Sequence, residues 1–274
     1  MNIANMSTTA DKYHTCVDGL KAYISALGIS DVVLGLSGGI DSAVVACMCA
    51  DAFGPTHVHG VLMPGPYSSK HSVTDAHELA QNLGIHAVCV PITEAYEAFN
   101  RSISLVSDSF SGIASENTQA RCRMVVLMAL SNAHNWMLIN TDNKSEAMMG
   151  YSTLYGDTAG VYAPMGGLYK IDVYAIAYWL NNQAAQRGLA PCIPEHILLK
   201  PPSAELALDQ RDEDVFGSYD DLDRILIACE EHGMSQEDLV AQGEDAAYVS
   251  YVFNRIHATA FKRALLPPYP HITY

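Results

Sequence analysis

The stretch DVVLGLSGGIDSAVVACMCADAF, residues 31–53, decides the fold. DVVLGLS (31–37) is a short apolar run rich in β-branched residues, reads as a strand, and ends at two glycines. IDSAVVACMCADAF (40–53) then reads as a helix. Backbone amides at such a turn point outward and the helix dipole adds positive potential, so LSGGIDSA (36–43) forms an anion nest around Gly38 and Gly39. Ser37 and Ser42 add hydroxyl donors, and Asp41 fits beside an anion if a divalent cation bridges the two. A Walker A loop is excluded because no lysine stands here, and a dinucleotide fingerprint because Gly35, Gly38 and Gly39 have the wrong spacing. A plain strand–helix turn with a dipole-favoured aspartate is the simpler alternative, and the full octet in strand–loop–helix context outweighs it.

The pattern continues outward. HVHGVLMP (57–64), HAVCVPI (86–92) and WMLINT (136–141) read as strands. HSVTDAHELAQNLG (71–84), TEAYEAFNRSISLV (93–106) and SENTQARCRMVVLMALSNAH (115–134, with Ser115 as N-cap) read as helices. The expected fold is α/β, a doubly wound parallel sheet flanked by helices with a helical C-terminal part. Residues 169–184, 221–232, 235–242 and 244–262 read as helices, and 193–221, rich in prolines and acids, as a mobile loop with 201–217 as a candidate lid. With no repeat and no clear linker, residues 1–274 are expected to form one domain.

Composition narrows the function. Hydrophobic residues make up 49%, enough for a sizeable core, and 15 Lys plus Arg against 30 Asp plus Glu give a net charge of −15. A net anion is a poor general binder of nucleic acid or anionic lipid, so neither partner is expected. Seven cysteines without a CxxC pair read as reduced thiols of a cytoplasmic protein. The start MNIANMSTTADKYH lacks signal-peptide character, and no apolar run approaches the ~20 residues of a membrane span. His57 and His59 lack a third ligand at a telling spacing, Cys47 and Cys49 point to different helix faces, and DQRDEDVF reads as a solvated acidic loop. In a doubly wound sheet ligands lie beyond the carboxyl ends of the strands. The first and fourth strand ends then face one site, with Asp41 and Glu146 suited to Mg²⁺ and Thr141 near the nucleotide.

SGGxDS resembles the signature of ATP pyrophosphatases, which cleave ATP between its α- and β-phosphates. The further blocks ENTQARCRM (116–124), TDNKSE (141–146), GYSTLYGD (150–157), LYKIDVYAIAYWL (168–180), KPPSAELALDQRDED (200–214), YDDLD (219–223) and FKR (261–263) make the chain resemble the NAD synthetase family from Asp31 to Lys262. The resemblance implies a homodimeric ligase that adenylates the nicotinate carboxylate of deamido-NAD with ATP and Mg²⁺, then lets ammonia displace AMP. By position it assigns Ser37, Gly38, Gly39, Asp41, Ser42, Thr141, Lys170 and Ser203 to ATP, and Asp41 and Glu146 to the metal. Arg121, Glu146, Lys262 and the Leu154 position go to deamido-NAD, and Asp157 lies near the ammonia site, with Asp41 and Asp157 as the catalytic carboxylates. Leu154, Val161 and Phe261 depart from the ammonia-using branch, and the wording STLYGDTAG and KPPSAEL is closer to the glutamine-using branch. That leaves free ammonia or a separate glutaminase subunit as nitrogen source. Other ATP pyrophosphatases, such as GMP synthetases or tRNA-thiolating enzymes, and a non-catalytic nucleotide sensor are the rivals. The charge, the missing CxxC and the two retained carboxylates speak against them. The apolar helix surface around 124–130 is the expected dimer interface.

Overall fold

The computed structural model describes residues 7–108, 110–208 and 210–274. Four parallel strands, β1 (Val32–Gly35), β2 (Val58–Leu62), β3 (His86–Cys89) and β4 (Met137–Leu138), form one sheet in the order β3-β2-β1-β4. Val32 pairs with Val58 on one side and Met137 on the other, so the strand order reverses at β1. Alternation along the strands sends side chains to opposite faces. Val32 and Leu34 enter one core, and Val33 enters another with Val61 and Leu138. The first core is covered by α1 (Thr9–Ala26), α2 (Ile40–Phe53), α3 (Lys70–Leu83) and α7 (Lys170–Gln186), the second by α4 (Thr93–Ser104) and α5 (Ile113–His134). The doubly wound α/β expectation is met.

A third core joins α6 (Lys144–Met149) to the C-terminal helices α10 (Tyr219–Glu230), α11 (Gln236–Ala241) and α12 (Ala246–Ala258), around Phe216, Leu222, Leu226 and Val252. Two short helices, α8 (Glu195–Leu199) and α9 (Glu213–Phe216), interrupt the region expected to be loop, and α13 (Ala260–Arg263) follows α12 after a break at Thr259. No described helix is long and apolar enough to cross a membrane.

Some local expectations need correction. Helix α1 was not expected. A capping box between Thr8 and Asp11 starts it, and Tyr13, Cys16, Val17, Leu20 and Ile24 bury one face. Ser115 is no N-cap: α5 begins at Ile113, and the Ser115 hydroxyl instead meets the Tyr96 hydroxyl at 2.6 Å. The fourth strand is only two residues long; the Ile139 amide still donates to the Val33 carbonyl (2.9 Å), and Ile139 also bridges Tyr162. The run DQRDEDVF is not uniformly solvated, since Asp212 is buried with 3% of its surface exposed.

Candidate functional site

A cleft of about 280 Å³ opens at the carboxyl edge of the sheet, where the strand order reverses. The LSGGIDSA loop forms its floor. Gly38 has φ +76° and lies so close to α3 that a Cβ there would sit 2.1 Å from the Ser72 carbonyl oxygen, so only glycine fits. Gly39 is the N-cap of α2, and the loop is braced from within. The Ser42 hydroxyl accepts from the Ser37 amide (3.2 Å) and donates to the Gly39 carbonyl (3.1 Å), while the Gly39 amide donates to the Ser37 hydroxyl (3.1 Å).

Beside this loop stands a three-way polar contact. Lys170, at the start of α7 and 1% exposed, donates to Asp41 Oδ2 (2.6 Å) and to Glu146 Oε1 (3.0 Å). Asn143 caps α6 with its side-chain oxygen on the Glu146 amide (3.0 Å), and its amide nitrogen donates to Asp41 Oδ1 (2.9 Å). Burial opposes the Lys170 charge, but Asp41 and Glu146 outweigh that and raise its pKa. Burial pushes Glu146 up to about 8, with Lys170 opposing and the Asp41 charge reinforcing it. Lys170 is thus a protonated centre rather than a surface lysine.

Of the expected site residues, Ser37, Gly39, Asp41, Ser42, Thr141, Glu146, Asp157, Lys170 and Ser203 line this one cleft, with Gly38 in its floor. Three do not. Arg121 is exposed and donates to the Leu154 carbonyl (3.2 Å). Leu154 stands outside the lining, and Lys262 donates to the carbonyls of Gly150 (2.7 Å) and Ser152 (2.6 Å). Asp157 opens to the cleft, but one carboxylate oxygen also accepts the Thr153 amide, so it fastens a turn as well. Arg123, not Arg121, reaches the cleft, donating to the Met63 carbonyl (3.1 Å). His57 and His59 both lean on Asp31, at 3.3 and 3.1 Å, and no described group of three Asp, Glu, His or Cys residues is arranged to hold a metal.

Other functional candidates escaped the sequence reading. Lys200 donates to the Gly38 carbonyl (3.0 Å) and to the Ser72 hydroxyl (2.8 Å). Glu205 accepts from the Ser69 amide (3.2 Å) and from the Ser72 hydroxyl (2.6 Å) at the start of α3. The expected lid, 201–217, is therefore tied down near its start, by Lys200 just before it on the anion loop and by Glu205 on the start of α3. Ser203 accepts the Glu205 amide (3.1 Å) and donates to the Gln210 carbonyl. Asp212 accepts from the Tyr219 hydroxyl (2.9 Å). Asp142 is 8% exposed, and burial together with the Asp157 charge raises its pKa.

The cleft carries six carboxylates, Asp41, Asp142, Glu146, Asp157, Glu205 and Asp212, against three cations, Arg123, Lys170 and Lys200. A polyphosphate would be repelled there without added positive charge. Asp41 and Glu146 converge on one ammonium, so their oxygens already face a common cation position. Two carboxylates with phosphate and water oxygens completing the shell are a donor set that suits Mg²⁺.

A family model described as NAD synthase matches residues 12–266. The glutamine-dependent NAD(+) synthetase of Aquifex aeolicus is 43% identical over 255 residues, which take in 93% of this chain and 44% of that one. The chain spans about half the length of the curated relatives it matches. Among solved structures, the NH3-dependent NAD synthetase of Campylobacter jejuni aligns with a TM-score of 0.76 at 30% identity, over 93% of this chain and 96% of that one. The NMN synthetase of Francisella tularensis aligns with a TM-score of 0.76 at 30% identity, over 94% and 96%.

Proposed function

The chain belongs to the NAD synthase family, and from that premise and the cleft geometry we propose that it forms a C–N bond by ATP- and Mg²⁺-dependent amidation of deamido-NAD. The single observation that carries this reading is the convergence of Asp41, Lys170 and Glu146 beside the SGGIDS loop, at the switch point of a parallel sheet.

In the first step a carboxylate oxygen of the nicotinate attacks the α-phosphorus of ATP. The bond to the bridging oxygen of the β-phosphate breaks, and pyrophosphate leaves. The loop carrying Ser37, Gly39 and Ser42 cradles the departing phosphates, with Lys200 beside them, and Lys170 meets charge growing in the transition state. Bound Mg²⁺, held by Asp41 and Glu146, would offset the repulsion between carboxylate and polyphosphate. Thr141 and Ser203, both in the cleft lining, orient the nucleotide. In the second step ammonia attacks the carbonyl carbon, the bond to AMP breaks, and the extra proton passes to a carboxylate of the wall. Asp157, open to the cleft, is the expected acceptor. The 200–206 segment covers the adenylate against water.

The recognition of deamido-NAD by Arg121, Leu154 and Lys262 belongs to a surface outside this cleft. Val125 and Met128 are exposed on α5, the helix that carries Arg121, and a second copy of the chain packed against that helix completes the site as a homodimer. The Cys192 and Cys229 thiols meet Asn181, the Leu226 carbonyl and Glu230 rather than a histidine base, which supports free ammonia as the nitrogen donor of the isolated chain.

A product assay tests the reading. The chain is given ATP and Mg²⁺ with deamido-NAD or nicotinate mononucleotide, and ammonia or glutamine. NAD formed from deamido-NAD and ammonia, with a rate that climbs as pH approaches the pKa of ammonium, is the expected result. Equal rates with glutamine would refute the ammonia assignment, and preference for the mononucleotide would move the substrate to that of the Francisella neighbour.

A further inference from the structure

Asp223, in α10, is wholly buried, yet it does not line the cleft. A buried carboxylate is unfavourable unless hydrogen bonds hold it. One oxygen accepts the Ser145 hydroxyl, and the other accepts the Ile171 amide at 2.9 Å. The Ser145 hydroxyl in turn accepts the Lys170 amide at 2.9 Å. Lys170 and Ile171 are the first two residues of α7, whose amides have no partner within the helix. Both amides are therefore taken by one Ser145–Asp223 unit.

Ser145 directly precedes Glu146 in α6, and Lys170 opens α7. The same carboxylate thus ties the roots of the two side chains whose heads meet at 3.0 Å in the cleft. Tyr219 lies one helical turn before Asp223, on the same face of α10. Its ring centroid is 5.1 Å from the Lys170 ammonium, and its hydroxyl donates to Asp212. One face of α10 therefore supports Lys170 at its backbone and beneath its head.

We propose that Asp223 is a positioning residue that, through Ser145, sets Lys170 and Glu146 in register for the reaction in the cleft. The proposal rests on the reading of the cleft given above. Misplacing a reacting group by 1 Å lowers rates by about 10²-fold, so loosening this anchor should act on turnover more than on binding.

The test uses the full chain and two variants, Asp223→Asn and Ser145→Ala, with the double variant. Asp223→Asn preserves shape and leaves one of the two donors facing an NH₂ group. Turnover, KM for ATP, melting temperature and hydrogen exchange of the 170–173 amides are measured for each. Each single variant is expected to lower kcat by about tenfold or more with KM for ATP changed less than about threefold, because the loss is in positioning. Exchange of the Lys170 and Ile171 amides should rise about tenfold or more, ahead of global unfolding. The double variant should be no worse than about threefold below the poorer single one, since both changes cut one link. Multiplying losses, unchanged exchange, or wild-type kcat in Asp223→Asn would overturn the proposal. If the unmodified chain makes no amidated product, the reading of the cleft fails, and the exchange measurement alone then decides whether Asp223 anchors Lys170.

Discussion

Replacing Lys170 with methionine removes an ammonium from between two carboxylates while keeping the length and apolar stem of the side chain. In the native protein Lys170 is 1% exposed, and the side chains of Asp41 and Glu146 are 21% and 15% exposed. Removing one partner of a buried ion pair costs about 3–5 kcal/mol, because the remaining charge is left without compensation. For a chain of this size 1 kcal/mol moves the melting temperature by about 2–4 °C, so Lys170→Met should melt about 10 °C lower in the presence of a chelator. The orphaned carboxylates then offer an unopposed cation position. Millimolar Mg²⁺ should restore much of the loss in the variant and do far less for the unmodified chain, which scanning calorimetry with and without the metal would measure. Acidification is a second arm. The folded pKa of Glu146 lies above its unfolded value of 4.5, so protonation favours the folded state and stability falls as pH rises toward about 8. Loss of Lys170 removes the opposing influence, so the variant should gain stability more steeply than the parent between pH 8 and pH 6. A variant that melts within 2 °C of the parent would refute the reasoning, as would a loss that neither metal nor acid reverses.

Asp41→Asn and Glu146→Gln should each lower turnover by about 100-fold or more at saturating ATP while the protein stays folded, read by steady-state kinetics and circular dichroism. Gly38→Ala, which drives a Cβ to 2.1 Å from the Ser72 carbonyl oxygen at φ +76°, should abolish ATP binding in calorimetric titration. Sedimentation at micromolar concentration should show a dimer, and Met128→Lys on the exposed face of α5 should shift it to a monomer of 29.7 kDa.

The parallel sheet and the anion loop were legible because their signals are local. A β-branched run, two glycines and a helix lie within some twenty residues, and the same alternation recurs along the first half. Helix α1 was equally local and was overlooked, since its apolar positions follow helical spacing behind Thr8. Helix α6 was out of reach for another reason. It has six residues, too few for a period to declare itself, and owes its form to the Asn143 cap and to packing against α10. The status of Lys170, Lys200 and Asp212 depended on distant partners. Nothing in GGLYK says that its lysine will be buried between carboxylates 129 and 24 residues away. Nothing in an acidic run says that one of its aspartates will fold under Tyr219. The family blocks brought Lys170 into view without that physics, and they did not indicate that Arg123 rather than Arg121 faces the cleft.

The separation in sequence of the groups that meet in the cleft also bears on how the protein comes apart. The β1–β2 and β2–β3 pairings join neighbouring segments, whereas Lys170 reaches Asp41 across 129 residues, Asn143 reaches Asp41 across 102, and Lys12 reaches Asp172, near the start of the same helix, across 160. Loop closure makes such links the last to form and gives little to hold them once a neighbouring helix loosens. Opening free energies differ from region to region within a native protein. The cleft is thus lined by segments drawn from Gly35 to Asp212 and held together by such distant links, and mild denaturant will loosen it while most of the helical signal persists. Inactivation will therefore run ahead of unfolding, and an activity half-life will understate how much of the molecule is still folded.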